Sequence, residues 1–168
     1  MVLKDFLLGQ LEREAASTRK ALERVPEGRN SFKPHVRSME FGYLAALVAD
    51  MPGWIVFMIE RDELDMGDPS SQHFTPKVVD TPAELVARLD DAVRDANRAL
   101  ESTTDEHLLT PWAFKMGGQV LVRQPRYVMI AESVFSHLAH HRGQLTVYLR
   151  LAESNVPALY GPSADERF

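Results

Sequence analysis

Apolar residues recur at three- and four-residue steps in four separate stretches of this chain, a periodicity that fits helices packed on one another and does not fit an extended sheet. In the first stretch Leu3, Phe6, Leu7, Leu11, Ala15, Thr18 and Leu22 share one face, whereas Lys4, Glu12, Arg19 and Glu23 fall elsewhere on the wheel. This predicts an amphipathic helix from Leu3 to Val25. Pro26, Gly28, Asn30 and Pro34 then form a loop, and Ser38 is placed to cap a second helix from Met39 to Arg61. Pro52 removes a backbone donor within that helix and predicts a kink. The apolar run Phe41 to Ile59 has membrane length, but Asp50 and Pro52 lie at its middle. A charge in hydrocarbon costs about 2.5–3.5 kcal/mol, so the run reads as a buried core helix.

Residues 62–80 contain Gly67, Pro69 and Pro76, lack apolar periodicity and are expected to form a long surface loop. Thr81, Pro82 and Glu84 supply a helix start: a cap hydroxyl, a proline at the first helical position and a carboxylate able to reach back to the cap amide. The third helix follows, with Leu85, Leu89, Val93, Ala96 and Leu100 on its buried stripe and its end near Thr103. Gly117-Gly118, flanked by Ala113–Met116 and Gln119–Val122, predicts a short hairpin or turn. Pro125 opens the fourth helix, whose seam of Ile130, Val134, Leu138, His141, Leu145 and Leu149 continues to Ala152. Residues 157–168 are expected to pack as an extended tail. The fold class implied is all-α, a four-helix bundle with a short hairpin or turn before the last helix, in one domain over residues 1–168.

Composition narrows the partners. Nineteen Lys and Arg against twenty-four Asp and Glu give a formal charge of −5, which favours neither nucleic acid nor an anionic membrane surface. The chain has no cysteine, so disulfides, thiolate metal sites and a cysteine nucleophile are excluded, in keeping with a cytoplasmic setting. Met1 to Glu14 mixes charges with apolar residues and lacks the uninterrupted run of a secretory signal.

Candidate chemistry concentrates in the fourth helix. His137 and His141 are four residues apart, about 40° in azimuth and about 6 Å along the axis, a spacing at which two imidazoles can converge on one cation. His140 points away from that pair. A hydrogen-bonded pair of core histidines has the same spacing, and two imidazoles fall short of the three protein ligands of a catalytic zinc-type site. Gly143 in the same helix implies close approach of a backbone or a ligand.

The segment HLAHHRGQLTVYLRL, His137 to Leu151, resembles the last helix of the DinB (YfiT-like) superfamily. The stretches PHVRSMEFGYLAALVADMPGW (Pro34 to Trp54), PWAFKMGGQVL (Pro111 to Leu121) and NVPALYGPSADE (Asn155 to Glu166) extend the resemblance over most of the chain. It implies a four-helix bundle, often a homodimer, in which two histidines of the last helix and one of the second bind a divalent metal, nickel or zinc. Some members transfer or isomerise groups with low-molecular-weight thiols. The resemblance assigns His137 and His141 as metal ligands. The family's second-helix pattern, Leu-Ala-x-His-Val-Ala-Glu, falls on Leu44-Ala45-Ala46-Leu47-Val48-Ala49-Asp50, so Leu47 replaces the third histidine.

Asp50, three residues on, is a candidate substitute that would complete a 2-His-1-carboxylate set; its plainer reading is the start of the kink before Pro52. His35 is a second candidate, with a loop residue as its plainer reading. Arg142 and Gln144 match an HRGQ element expected to make structural hydrogen bonds, and Trp54, Trp112 and the methionines are expected in the core or lining a cavity. His73 and His107 carry no signal. Three readings follow. The first is a bundle that binds a small molecule with weak or no metal, His141 being the best candidate for an acid-base group. The second is a metal-dependent transferase, isomerase or hydrolase with a substitute third ligand. The third is a dimeric structural module with a vestigial site.

Overall fold

The structure, a computed structural model, describes residues 2–69, 71 and 75–167. Four helical rods form the bulk of the fold. The first, α1 (Leu3–Leu22), buries Leu7, Leu11, Thr18 and Leu22, the stripe expected from the sequence. Its first turn is held by a distant side chain: the Asp105 carboxylate accepts from the backbone N–H of Leu3 at 2.8 Å and of Lys4 at 3.0 Å.

The second rod is α2 (Phe41–Asp50), one 3₁₀ turn (Met51–Gly53) and α3 (Trp54–Glu60), so Pro52 interrupts the helix as anticipated without ending the rod. Ser38 does not cap it. Its own N–H donates to the carbonyl of His35 in a turn, and the helix begins at Phe41 after an extended Glu40. The run Phe41–Glu60 is long and apolar enough to cross a membrane by length and composition, and more than half of it is buried in the protein.

The third rod, α4 (Pro82–Ser102), starts with the expected capping box. The Glu84 N–H donates to Thr81 Oγ1 at 3.2 Å, and the Thr81 N–H donates to the Glu84 carboxylate at 3.0 Å. A single short helix, α5 (Asp105–Leu109), follows. The fourth rod is continuous but mixed: α6 (Arg126–Met129), a π-helix (Ile130–Ser136) and α7 (His137–Leu151).

The chain is mostly helical but not all-α. Three strands, β1 (Glu63–Asp65), β2 (Pro111–Met116) and β3 (Gln119–Pro125), form a sheet in that order, β1 parallel to β2 and β2 antiparallel to β3. The hairpin was expected, and Gly117 and Gly118 both take positive φ at its two-residue turn. Strand β1 corrects the reading of residues 62–80 as loop alone: three residues are too few to show a period of two. The core has two clusters, one around Leu44, Val48, Leu89 and Leu149, the other around Leu11, Ile55, Leu100 and Val134; Trp54 and Val93 pack against both. Residues 155–167 carry neither helix nor strand and are pinned by Ala158 N–H to Glu166 and by Ser163 to the Val156 carbonyl.

Candidate functional site

A cavity of about 720 Å³ opens between the second rod, the fourth rod and the sheet. Strand alternation builds one wall. Trp112 and Phe114 point to the same side of β2, and the cross-strand partners of Phe114, Leu64 in β1 and Val122 in β3, join them. The opposite face of the sheet carries Glu63, Lys115 and Arg123. The second rod contributes Tyr43 and Leu47 from α2 and Trp54, Phe57 and Met58 from α3.

The polar wall comes from the fourth rod: Glu132, Ser133, Ser136 and His137. On a regular α-helix Glu132 and His137, five residues apart, would diverge by about 140°. The π-helix bonds each residue to the one five back, which stacks such positions on one face. The Ser136 hydroxyl follows the same spacing, donating to the carbonyl of Ala131 at 3.1 Å.

His137 and His141 meet through their Nε2 atoms at 2.9 Å, one N–H donating to the other ring's lone pair. The Nδ1 of His141 lies 2.8 Å from Gln144 Oε1, and the carbonyl of Ser133 bonds the His137 ring. His141 is buried; His137 is exposed, with its ring 5.9 Å from that of Trp54. Desolvation, the largest influence on both rings, holds them below the ordinary histidine pKa. The Ser133 carbonyl opposes it at His137 and Gln144 at His141, while the neighbouring imidazoles reinforce it.

Leu47, the position where the resemblance expects a third ligand, lines the same cavity as His137 and brings an isobutyl group in place of a donor. Asp50 does not. Its carboxylate takes both the Nε (3.0 Å) and a terminal nitrogen of Arg88 on α4, and it is absent from the cavity lining. Burial, foremost, lifts its carboxyl above the usual carboxylate range, against the pull of Arg88. Among the described residues no set of three or more His, Cys, Asp or Glu is arranged to hold a metal. Two imidazoles bonded to each other, with leucine at the position of the expected third donor, do not fit the nickel or zinc centre that the resemblance implies.

The other singled-out residues serve elsewhere. His35 sits in an exposed turn, where its Nδ1 accepts from the Arg37 N–H at 3.2 Å. His107 Nε2 bonds the Ile59 carbonyl at 2.9 Å, and His73 lies outside the described residues. The His140 ring is exposed, 5.0 Å from that of His141. Arg142 is structural, as expected: fully buried, it donates to Glu14 Oε2 at 2.5 Å, to Thr18 Oγ1 at 2.8 Å and to the Glu14 carbonyl at 3.0 Å. At Gly143 the expected close backbone is not there: a Cβ would meet open space, with neither backbone nor side chain near. Glu132, Ser133 and Ser136 were missed. Glu132, Ser133 and Ser136 already share one side of a helical wheel, but nothing in their residue types marks that side as a cavity wall, and the π register draws Glu132 nearer to His137 on it.

The DinB family model matches residues 7–167. An uncharacterized protein, YrdA, of Bacillus subtilis is 26% identical over 166 residues, covering 96% of this chain and 90% of its own. Among solved structures, a DinB-like protein from Bacillus cereus superposes with a TM-score of 0.68 at 22% identity, covering 92% of this chain and 95% of its own. A DinB-like protein of Bacillus subtilis, YjoA, gives 0.67 at 18% identity, covering 96% of this chain and 99% of its own. At these identities the two structures establish a shared fold.

Proposed function

This chain belongs to the DinB family, and we propose that it binds an apolar small molecule in the cavity between its second and fourth rods, without a tightly held metal. The observation that carries this reading is the cavity lining: Leu47, where the resemblance expects a third donor, adds apolar surface to the cavity that His137 lines. The lining has what a small-molecule site needs, an extended apolar surface with a few polar groups gathered at one side. The histidine pair is already bonded within the chain, through Gln144, His141, His137 and the Ser133 carbonyl in sequence. It acts as an oriented polar edge that fixes how a ligand lies. Arg88 holds Asp50 away from this edge, which argues against a carboxylate-completed metal centre.

A thermal-shift titration with 2-naphthylmethanol, a neutral apolar probe, tests the reading. At 100 times its dissociation constant a ligand of the native state adds about 2.7 kcal/mol of stability. The native chain should show a saturable rise in Tm. Val122→Trp, which fills the cavity from an exposed strand position, should abolish that rise while leaving the unliganded Tm within a few degrees of native. A flat titration of the native chain, or an equal response in Val122→Trp, would overturn it.

A further inference from the structure

The cavity has a sign. Among its described lining residues Glu132 carries the one carboxylate, and none is lysine or arginine. Three cations of the neighbouring elements do not line it. Lys115 and Arg123 belong to the opposite face of the sheet, and Arg61 stacks over the Phe57 ring at 4.3 Å without lining the cavity. The Glu132 carboxylate is exposed at the rim and has no hydrogen-bond or ion-pair partner among the described residues.

The apolar walls have the same preference. Tyr43, Trp54, Phe57, Trp112 and Phe114 bring aromatic rings to one space, and Met58 and Met129 bring polarisable sulfur. Ring faces carry partial negative charge and attract cations, most strongly at tryptophan. Flat rings and thioethers also pack well against a ligand's own ring system. An anionic ligand would instead meet Glu132 as a like charge with no guanidinium or ammonium to compensate.

We propose that the ligand is an aromatic amine cation: a flat apolar body lodged among the rings, with its ammonium at the rim beside Glu132. The assignment rests on the small-molecule reading above and deepens it by naming the chemical class. Ser133 and Ser136, on the same wall, supply hydroxyl oxygens that can accept from an ammonium's remaining N–H groups.

The test compares three probes of one shape, 2-naphthylmethylamine, 2-naphthylmethanol and 2-naphthoate, by titration calorimetry at low and high salt. The amine should bind the native chain about fivefold more tightly than the alcohol, and the carboxylate most weakly, a margin set by one partly solvated ion pair and the ring faces. In Glu132→Gln, an exposed and conservative change, amine and alcohol should come within about twofold. Raising the salt should narrow the native preference in the same way. A carboxylate that binds as tightly as the amine, or a ranking unchanged in Glu132→Gln, would overturn the charge assignment while leaving the cavity reading in place. Silence from all three probes would overturn the cavity reading itself.

Discussion

His141 and Arg142 are neighbours on α7, both buried, and they solve opposite problems. Arg142 turns toward α1, where the two terminal nitrogens of its guanidinium donate to Glu14, Thr18 and the hydroxyl of Tyr160, and Tyr160 in turn donates to Glu14 at 2.8 Å. His141 turns the other way, toward a partner ring that is exposed to a cavity. A buried charge paired with an opposite charge inside the fold is part of the scaffold. A polar group whose network ends at an open wall is available to something that is not protein. The contrast has a thermodynamic form. Removing one member of a buried ion pair strands the other and costs about 3–5 kcal/mol. Arg142→Met should therefore lower Tm by on the order of 10 °C for a chain of this size. His141→Leu, which cuts its hydrogen bonds to His137 and Gln144 but leaves both of those exposed partners to water, should cost less than about 2 kcal/mol. Equal losses in the two variants, measured by denaturant titration, would erase the distinction.

A smaller but more specific effect follows from the open side. Leu47 lines the cavity with His137, so Leu47→His adds a third imidazole to the cavity that the pair borders. The variant should gain zinc or nickel binding that the native chain lacks at the same concentration. The gain would read as metal-dependent stabilisation of about 2.7 kcal/mol at 100 times the dissociation constant. Equilibrium dialysis checks stoichiometry, with one equivalent expected. If the variant binds no more metal than the native chain, position 47 does not stand where the resemblance expects the third ligand.

What could be read from the sequence was what short-range spacing controls. The Thr81–Glu84 cap, the Gly117-Gly118 turn and the one-turn spacing of His137 and His141 all lie within a few residues, and each appeared as expected. What could not be read depends on the rest of the molecule. The π-helix changes no residue type, yet it turns Glu132 onto the histidine wall, and packing of the whole rod decides it. Asp50 is spaced like a ligand along α2, but its partner Arg88 comes from another rod 38 residues away. Strand β1 exists because β2 lies beside it, not because Glu63–Asp65 carries a pattern of its own. Gly143 shows the opposite error, a residue whose expected close backbone the fold does not supply.

Asp65 sharpens the comparison from a third position, a polar group that is closed although it lies at the surface. Its carboxylate accepts backbone N–H bonds from Gly67 at 2.8 Å, Gly117 at 2.7 Å and Gly118 at 2.6 Å, locking the end of β1 to the tip of the hairpin. The backbones approach so closely that a Cβ on Gly67 would lie 2.4 Å from the Gly117 nitrogen. The amides of Gly67, then of Gly118 and Gly117, favour the anion and hold the carboxyl below its ordinary range, with Lys115 adding to the effect. A folded pKa depressed in this way gives a contribution that is fully present above the unfolded aspartate value, about 3.9, and is lost as pH falls through the folded value. The lock should therefore be unchanged from neutral pH down to mildly acid conditions and loosen only below about pH 3.9. Amide chemical shifts of Gly117 and Gly118, followed by NMR, should carry that inflection, and Asp65→Asn should remove it. Because the locked strands carry Leu64, Phe114 and Val122, Asp65→Asn at neutral pH should also speed release of 2-naphthylmethanol by a few-fold with little change in Tm. An inflection at or above the ordinary aspartate value would show that these amides do not hold the carboxylate, and the sheet wall would then have to be positioned by its apolar face alone.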